Sequence, residues 1–146
     1  MSELEPPLAL RAEPPLQGLP FYAEAIAAGF PSSVLTADAE AIDLNRLLLG
    51  RAAACFMLRV RGCSMEGARI FDGDVVIVDR SIPARHGHIV VAELDGAYTL
   101  KTLWKQQGRV QLHPAHADFS IIEIGAEMEL RLFGVVTWVL RQCGAG

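Results

Sequence analysis

No stretch of this sequence approaches the roughly 18 consecutive apolar residues of a membrane span. The longest candidate, Leu132 to Leu140, is interrupted by Gly134 and Thr137. The opening residues, Met1-Ser2-Glu3-Leu4-Glu5, lack the positive region that begins a secretory signal. A soluble, cytoplasmic protein with no membrane partner is expected. Cysteine is sparse and odd in number: Cys55, Cys63 and Cys143 are scattered, which excludes a disulfide framework and fits a reducing compartment. There is no dense basic stripe, and the net charge is −4, so direct sequence-specific DNA binding is not expected. Arg59, Arg61 and Arg69 read as a solvated face. No glycine-rich phosphate loop is present; Gly67 and Gly73 do not form one. His86-Gly87-His88 and His113-Pro114-Ala115-His116 raise the question of metal, and strand alternation would set His86 and His88 on one face. Neither pair has a cysteine partner or a His-Glu-x-x-His frame. No metal and no cofactor are expected, and no internal repeat or low-complexity tract is seen.

What remains is enough for one globular unit: 146 residues, of which 51% are hydrophobic. Six of the eight prolines fall at or before residue 31, a density that opposes helices and sheet ladders. Residues 1–40 therefore read as an extended, mobile arm, with alanine favouring a short helical patch over 21–28. Residues 41–146 read as a β-rich domain. Its first segment, 42–49, has a helical pattern ending at Gly50, a suitable residue to follow a helix. Beyond it the pattern changes to strands. Phe56, Leu58 and Val60 alternate with Met57, Arg59 and Arg61. Asp72-Gly73 marks a turn before a buried strand at 74–79. Asp95-Gly96 between apolar runs at 88–94 and 97–104 is a strong hairpin signal. Further strands are expected at 109–113, 127–133 and 135–141. Many short strands with regular turns predict a mostly β fold.

Within this frame, Ser64 and Lys101 carry the chemistry. Ser64 lies in the turn Arg61-Gly62-Cys63-Ser64-Met65, and Lys101 in the strand Ala97-Tyr98-Thr99-Leu100-Lys101-Thr102-Leu103. A serine hydroxyl becomes a useful nucleophile only when a base takes its proton, and lysine can be that base. The lysine must be neutral; with an unperturbed pKa of about 10.4, only roughly 0.04% is neutral at pH 7. Burial lowers that pKa, and Tyr98, Leu100, Leu103 and Trp104 offer apolar surroundings. Alternation places Thr99, Lys101 and Leu103 on one face, where the Thr99 hydroxyl can hold the amine. Gly62 permits a sharp backbone, so the amides of Cys63 and Ser64 can converge as an oxyanion hole. Cys63 itself lacks a neighbouring histidine base and reads as a small buried filler. Upstream lies the small-residue segment Ala25-Ile26-Ala27-Ala28-Gly29. A nucleophile, a base and a cuttable bond in one chain imply self-cleavage.

These residues resemble a known group, the UmuD-type branch of the LexA-type serine peptidases. The matching strings are Ala28-Gly29-Phe30-Pro31-Ser32, Ile42-Asp43-Leu44-Asn45-Arg46-Leu47-Leu48, Gly62-Cys63-Ser64-Met65, the run Phe71 to Asp79, His86-Gly87-His88-Ile89-Val90, Tyr98-Thr99-Leu100-Lys101 and Phe133-Gly134-Val135-Val136. They run from about residue 20 to 141. The resemblance implies the LexA/UmuD-type C-terminal peptidase β-fold, with a short helix and a mobile N-terminal arm. It implies Ser64 as nucleophile, Lys101 as general base, Thr99 as its support, Cys63 and Ser64 amides as oxyanion hole, and Ala28-Gly29 as the scissile bond. The family often has another residue, such as Asp, where Cys63 stands, and UmuD proteins often have Cys where Ala28 stands. It further implies a homodimer, stimulation by a RecA filament on single-stranded DNA, and service of the trimmed dimer to a UmuC-like Y-family polymerase in synthesis past lesions.

Three other readings compete. A LexA-like repressor would need a helix-turn-helix domain, and the 28 proline-rich residues up to the cut are too few and too broken for one. A signal peptidase shares the Ser-Lys chemistry but carries a membrane anchor. A non-cleaving binding module that keeps the residues and uses only its surfaces stays open.

Overall fold

A computed structural model of the chain describes residues 18–22, 25, 26, 28, 29 and 39–144. The rest of the expected arm lies outside the described residues. The first strand, β1 (Gly18–Tyr22), pairs antiparallel with β2 (Ala39–Asp43), Gly18 opposite Asp43 and Tyr22 opposite Ala39. This exposed ribbon straddles residue 40. It also overrides the helical patch expected over 21–28: Phe21 and Tyr22 take their hydrogen bonds from a partner strand, and tertiary pairing outweighs alanine's local preference. The helix α1 (Leu44–Leu48) is shorter than the 42–49 pattern because Ile42 and Asp43 belong to the ribbon. Asp43 caps it by accepting a hydrogen bond from the Asn45 amide at 3.0 Å. Gly50 does not adopt the left-handed conformation expected after a helix.

The remaining strands form one antiparallel sheet. They are β3 (Cys55–Arg59), β4 (Val75–Asp79), β5 (Ile89–Leu94), β6 (Ala97–Gln106), β7 (Arg109–His113), β8 (Ile122–Glu123) and β9 (Leu130–Leu140), in the order β3-β4-β9-β5-β6-β7-β8. The fold is mostly β, as the spacing of strands and turns predicts. β5 and β6 are joined by Asp95 and Gly96, both at positive φ (48° and 86°), as a tight hairpin turn with strand-matching twist requires. Gln107 (φ 53°) and Gly108 (φ 72°) make the same turn between β6 and β7.

The segments expected as two strands, 127–133 and 135–141, are one strand. The second half of β9 pairs with β4 and the first half with β5, and Val135 faces both Asp79 and Val90. Register shifts on both sides bend it there. Gly134 sits at the bend because nothing larger fits: a Cβ would lie 2.6 Å from Val78 Cγ1 and 3.1 Å from the Asp79 carbonyl oxygen. Side-chain alternation along β5 feeds two cores. Val91 joins Phe56, Met65, Ile70, Val76 and Val78; Val90 and Ala92 join Leu103, Leu112 and Val135. β3 is a terminal strand, so Leu58 is 36% exposed where the alternation pattern had it matching Phe56.

The end of β9 is pinned by a buried carboxylate. Asp74, 2% exposed, accepts from Arg141 Nε and Nη2 at 2.7 Å each and from the Phe71 amide at 2.8 Å. The guanidinium also donates to the Arg69 carbonyl at 3.1 Å and lies 4.6 Å from the Phe71 ring centre. The Arg141 hydrogen bonds outweigh the desolvation of the carboxyl and hold Asp74 down at about 2, below its ordinary 3.8.

Gly134→Ala is expected to destabilise the fold by about 1–3 kcal/mol through overpacking at the bend, read as a lowered urea midpoint. Arg141→Met is expected to lower the midpoint at pH 7. A depressed carboxylate pKa contributes stability above its unfolded value and loses it as pH falls through the folded one. The gap to the parent protein should therefore close as pH drops from 3.8 to about 2. An equal gap at pH 2 would assign the effect to packing on Phe71 instead.

Candidate active site

The turn after β3 is held open by glycine and tied at both ends. The Val60 amide donates to the Asp74 carbonyl (2.7 Å) and the Gly73 amide to the Val60 carbonyl (2.8 Å). Gly62 has φ 95°, a conformation that favours glycine, and its amide donates to Asp72 Oδ1 at 2.8 Å. One residue beyond the nucleophile candidate, Met65 is 2% exposed and inserted into the first core. Ser64 is thus fixed between a tethered glycine and a buried anchor.

Across the cleft, β6 presents Lys101, 8% exposed. Its Nζ lies 3.2 Å from Ser64 Oγ, 2.8 Å from Thr99 Oγ1 and 3.1 Å from the Leu100 carbonyl oxygen. Burial pushes its pKa below the ordinary 10.5. Among the described residues no carboxylate forms an ion pair with it. The three oxygens suit both protonation states. As an ammonium the group donates to all three. As a neutral amine it has two donors, which the Leu100 carbonyl and Thr99 hydroxyl can accept, leaving its lone pair for the Ser64 hydroxyl proton.

The amides of Cys63 and Ser64 donate to no partner among the described residues. The cleft holds about 260 Å³; Met65, Val76, Val91 and Leu100 give it an apolar lining, with Leu58 and Tyr98 also along its wall. The structure therefore brings Ser64, Lys101 and Thr99 together. It does not bring Ala28 and Gly29 to them: both are exposed in a bend. A side chain at Gly29 would meet nothing within 4 Å among the described residues.

Other expectations change. Cys63 is partly exposed, not a buried filler, because the turn stands at the cleft rim. His86 and His88 do not share a strand face: they precede β5, and their Nδ1 atoms accept from different amides, Lys105 and Arg85, each at 3.0 Å. Among the described residues no three His, Cys, Asp or Glu side chains gather as a metal site. No described helix is long and apolar enough to cross a membrane. The sequence reading missed Asp72, the Leu100 carbonyl and Ala115, whose amide donates to the Ser64 carbonyl at 2.7 Å. Only Asp72 carried a signal, as part of its Asp-Gly turn; the other two act through main-chain atoms that residue type does not reveal.

A mostly β domain with a serine and a desolvated amine at one cleft falls in the class of serine peptidases. The chain belongs to the Peptidase S24-like family, which matches residues 20–137. Protein MucA of Salmonella typhimurium is 40% identical over 123 residues, 84% of each chain. Protein ImpA of Shigella flexneri is 37% identical over 123 residues, 84% of this chain and 83% of its own. The LexA repressor of Bordetella petrii is 42% identical over 86 residues, 59% of this chain and 38% of the repressor. The resemblance to UmuD-type and LexA-type peptidases is borne out over nearly the span read from the motifs.

The sequence contains two lysines, Lys101 and Lys105. With Lys105→Arg removing the second signal, the 13Cε resonance of Lys101 is expected to titrate below 10.5. A midpoint at or above that value would remove the desolvation on which the site's chemistry depends.

Proposed function

We propose that this protein is a self-cleaving serine endopeptidase of the SOS DNA-damage response that cuts its own Ala28-Gly29 bond. The observation that carries this reading is the 3.2 Å approach of a buried Lys101 Nζ to Ser64 Oγ. Ser64 Oγ attacks the Ala28 carbonyl carbon as its proton passes to Lys101 Nζ. The resulting oxyanion is held by the Cys63 and Ser64 amides. The ammonium then returns a proton to the departing Gly29 nitrogen, leaving Ala28 esterified to Ser64. Water, deprotonated by Lys101, releases the acid and restores the serine. Thr99 keeps the amine in line throughout.

The cut requires the Ala28-Gly29 segment to enter the cleft. Small residues suit its size, and β3 offers a terminal strand beside it against which an extended segment can pair. In this reading a RecA filament on single-stranded DNA selects the arm-inserted conformer and donates no residues. The trimmed homodimer then serves a Y-family, UmuC-like polymerase in the cytoplasm. Similarity to MucA and ImpA over 84% of the chain supports this assignment over a repressor, since the LexA match covers only 59% of this chain and 38% of the repressor.

Purified protein held at raised pH is expected to yield a fragment whose mass begins at Gly29. Its rate should climb between pH 7 and 10, by about tenfold per unit while the amine is mainly protonated. Ser64→Ala and Lys101→Ala should each reduce the rate by about 10⁴-fold or more. A flat pH profile would rule out lysine as the base. An uncut chain under these conditions, and with RecA, nucleotide and single-stranded DNA, would leave the binding-module reading standing.

A further inference from the structure

The segment Pro114-Ala115-His116, between β7 and β8, is bonded to the nucleophile turn from both sides. The Ala115 amide donates to the Ser64 carbonyl at 2.7 Å, and the Gly67 amide donates to the Ala115 carbonyl at 2.6 Å. Ala115 also packs against the core cluster that holds Met65. The contact leaves no room at Gly67. A Cβ there would lie 2.6 Å from the Ala115 carbonyl oxygen, 3.2 Å from its carbon and 3.3 Å from its Cβ. Gly67 is not at positive φ, so glycine's backbone freedom does not explain it; the close approach of Ala115 does.

These bonds close a circuit through the site. From the Ser64 carbonyl the path runs to Ala115, two residues back to His113, across the ladder to Thr102, and one residue to Lys101, whose Nζ returns to Ser64 Oγ. The β6–β7 ladder within it is rigid, with Leu103 and Leu112 paired and at most 1% exposed. One hairpin therefore carries both the amine and the clamp that fixes the serine relative to it.

We propose that Ala115 is a positioning residue for Ser64, acting through its main-chain amide and carbonyl, with Gly67 the glycine that permits the clamp. This rests on Ser64 being the nucleophile. Position is worth much here, since a misplacement of about 1 Å can cost about 100-fold in rate. The two bonds hold the Ser64 carbonyl and the Gly67 amide just beyond it and involve neither the arm nor the amine, so loosening them should blunt the serine itself.

The test follows two rates in the full chain: self-cleavage at raised pH, and labelling of Ser64 by a fluorophosphonate probe, which needs no arm insertion. Gly67→Ala is expected to slow both by about tenfold or more; its Cβ meets the Ala115 main chain at 2.6 Å, so its melting temperature should fall too, and the rates are compared at a temperature where it is still folded. Ala115→Ser keeps the amide and should match the parent in both. Ala115→Pro lacks the N–H and should behave as Gly67→Ala does; it carries the test if Gly67→Ala fails to fold. In the parent protein the Ala115 amide should exchange slowly with solvent. Parent rates in a folded Gly67→Ala, labelling preserved while cleavage falls, or an Ala115 amide that exchanges like an exposed loop would each overturn the clamp. A parent chain that neither labels nor cleaves would instead remove the assignment of Ser64, and the clamp with it.

Discussion

Lys101 is buried with three oxygens around its nitrogen, and among the described residues none is a carboxylate. An acid partner would stabilise the ammonium and oppose the base role proposed for it. Hydroxyls and a carbonyl keep the group hydrogen-bonded without fixing its charge. The surrounding structure serves this arrangement: β6 places Thr99 and Leu100 beside the amine, and the first core seals one side of the cleft with Met65, Val76 and Val91.

The contrast with Asp74 shows how the same fold handles burial in two ways. Asp74 is even less accessible than Lys101, yet it has a bidentate guanidinium partner and an amide, and its pKa falls to about 2. That charge is locked and structural, and it ties the end of β9 to the loop leading from the Ser64 turn into β4. Lys101 is not locked. Paired buried charges hold elements in place; an unpaired, hydrogen-bonded one remains able to exchange a proton.

The proposed cut falls between the two strands of the β1–β2 ribbon. Ala28 and Gly29 lie exposed in a bend between its strands, while Ser64 and Lys101 are already in contact. In the proposed reading, with Ser64 and Lys101 already in contact, delivery of the bond becomes the step open to control. That is the step at which a filament that selects one arrangement of the arm would act, without contributing any chemical group.

Alternation and turn residues made most strands legible: a run of β-branched residues at 75–78 can be little else, and Asp95-Gly96 dictates a hairpin. Gly62-Cys63-Ser64-Met65 and Tyr98-Thr99-Leu100-Lys101 pointed to the candidate site, and Ser64, Thr99 and Lys101 do come together. Local pattern could not show that 127–133 and 135–141 form one bent strand, because the bend depends on Val78 and Asp79 crowding Gly134 from another strand. Nor could it show that Phe21 and Tyr22 pair with 39 and 40, since alanine nearby favours a different local state. The residues by themselves named the groups proposed to do chemistry and determined that strands would carry the fold. The tertiary structure decided that the amine lies 3.2 Å from the hydroxyl with no acid among the described residues paired to it, and that Ala115 grips the turn. Those facts arise from distances between main-chain and side-chain atoms far apart in sequence, which no local preference encodes.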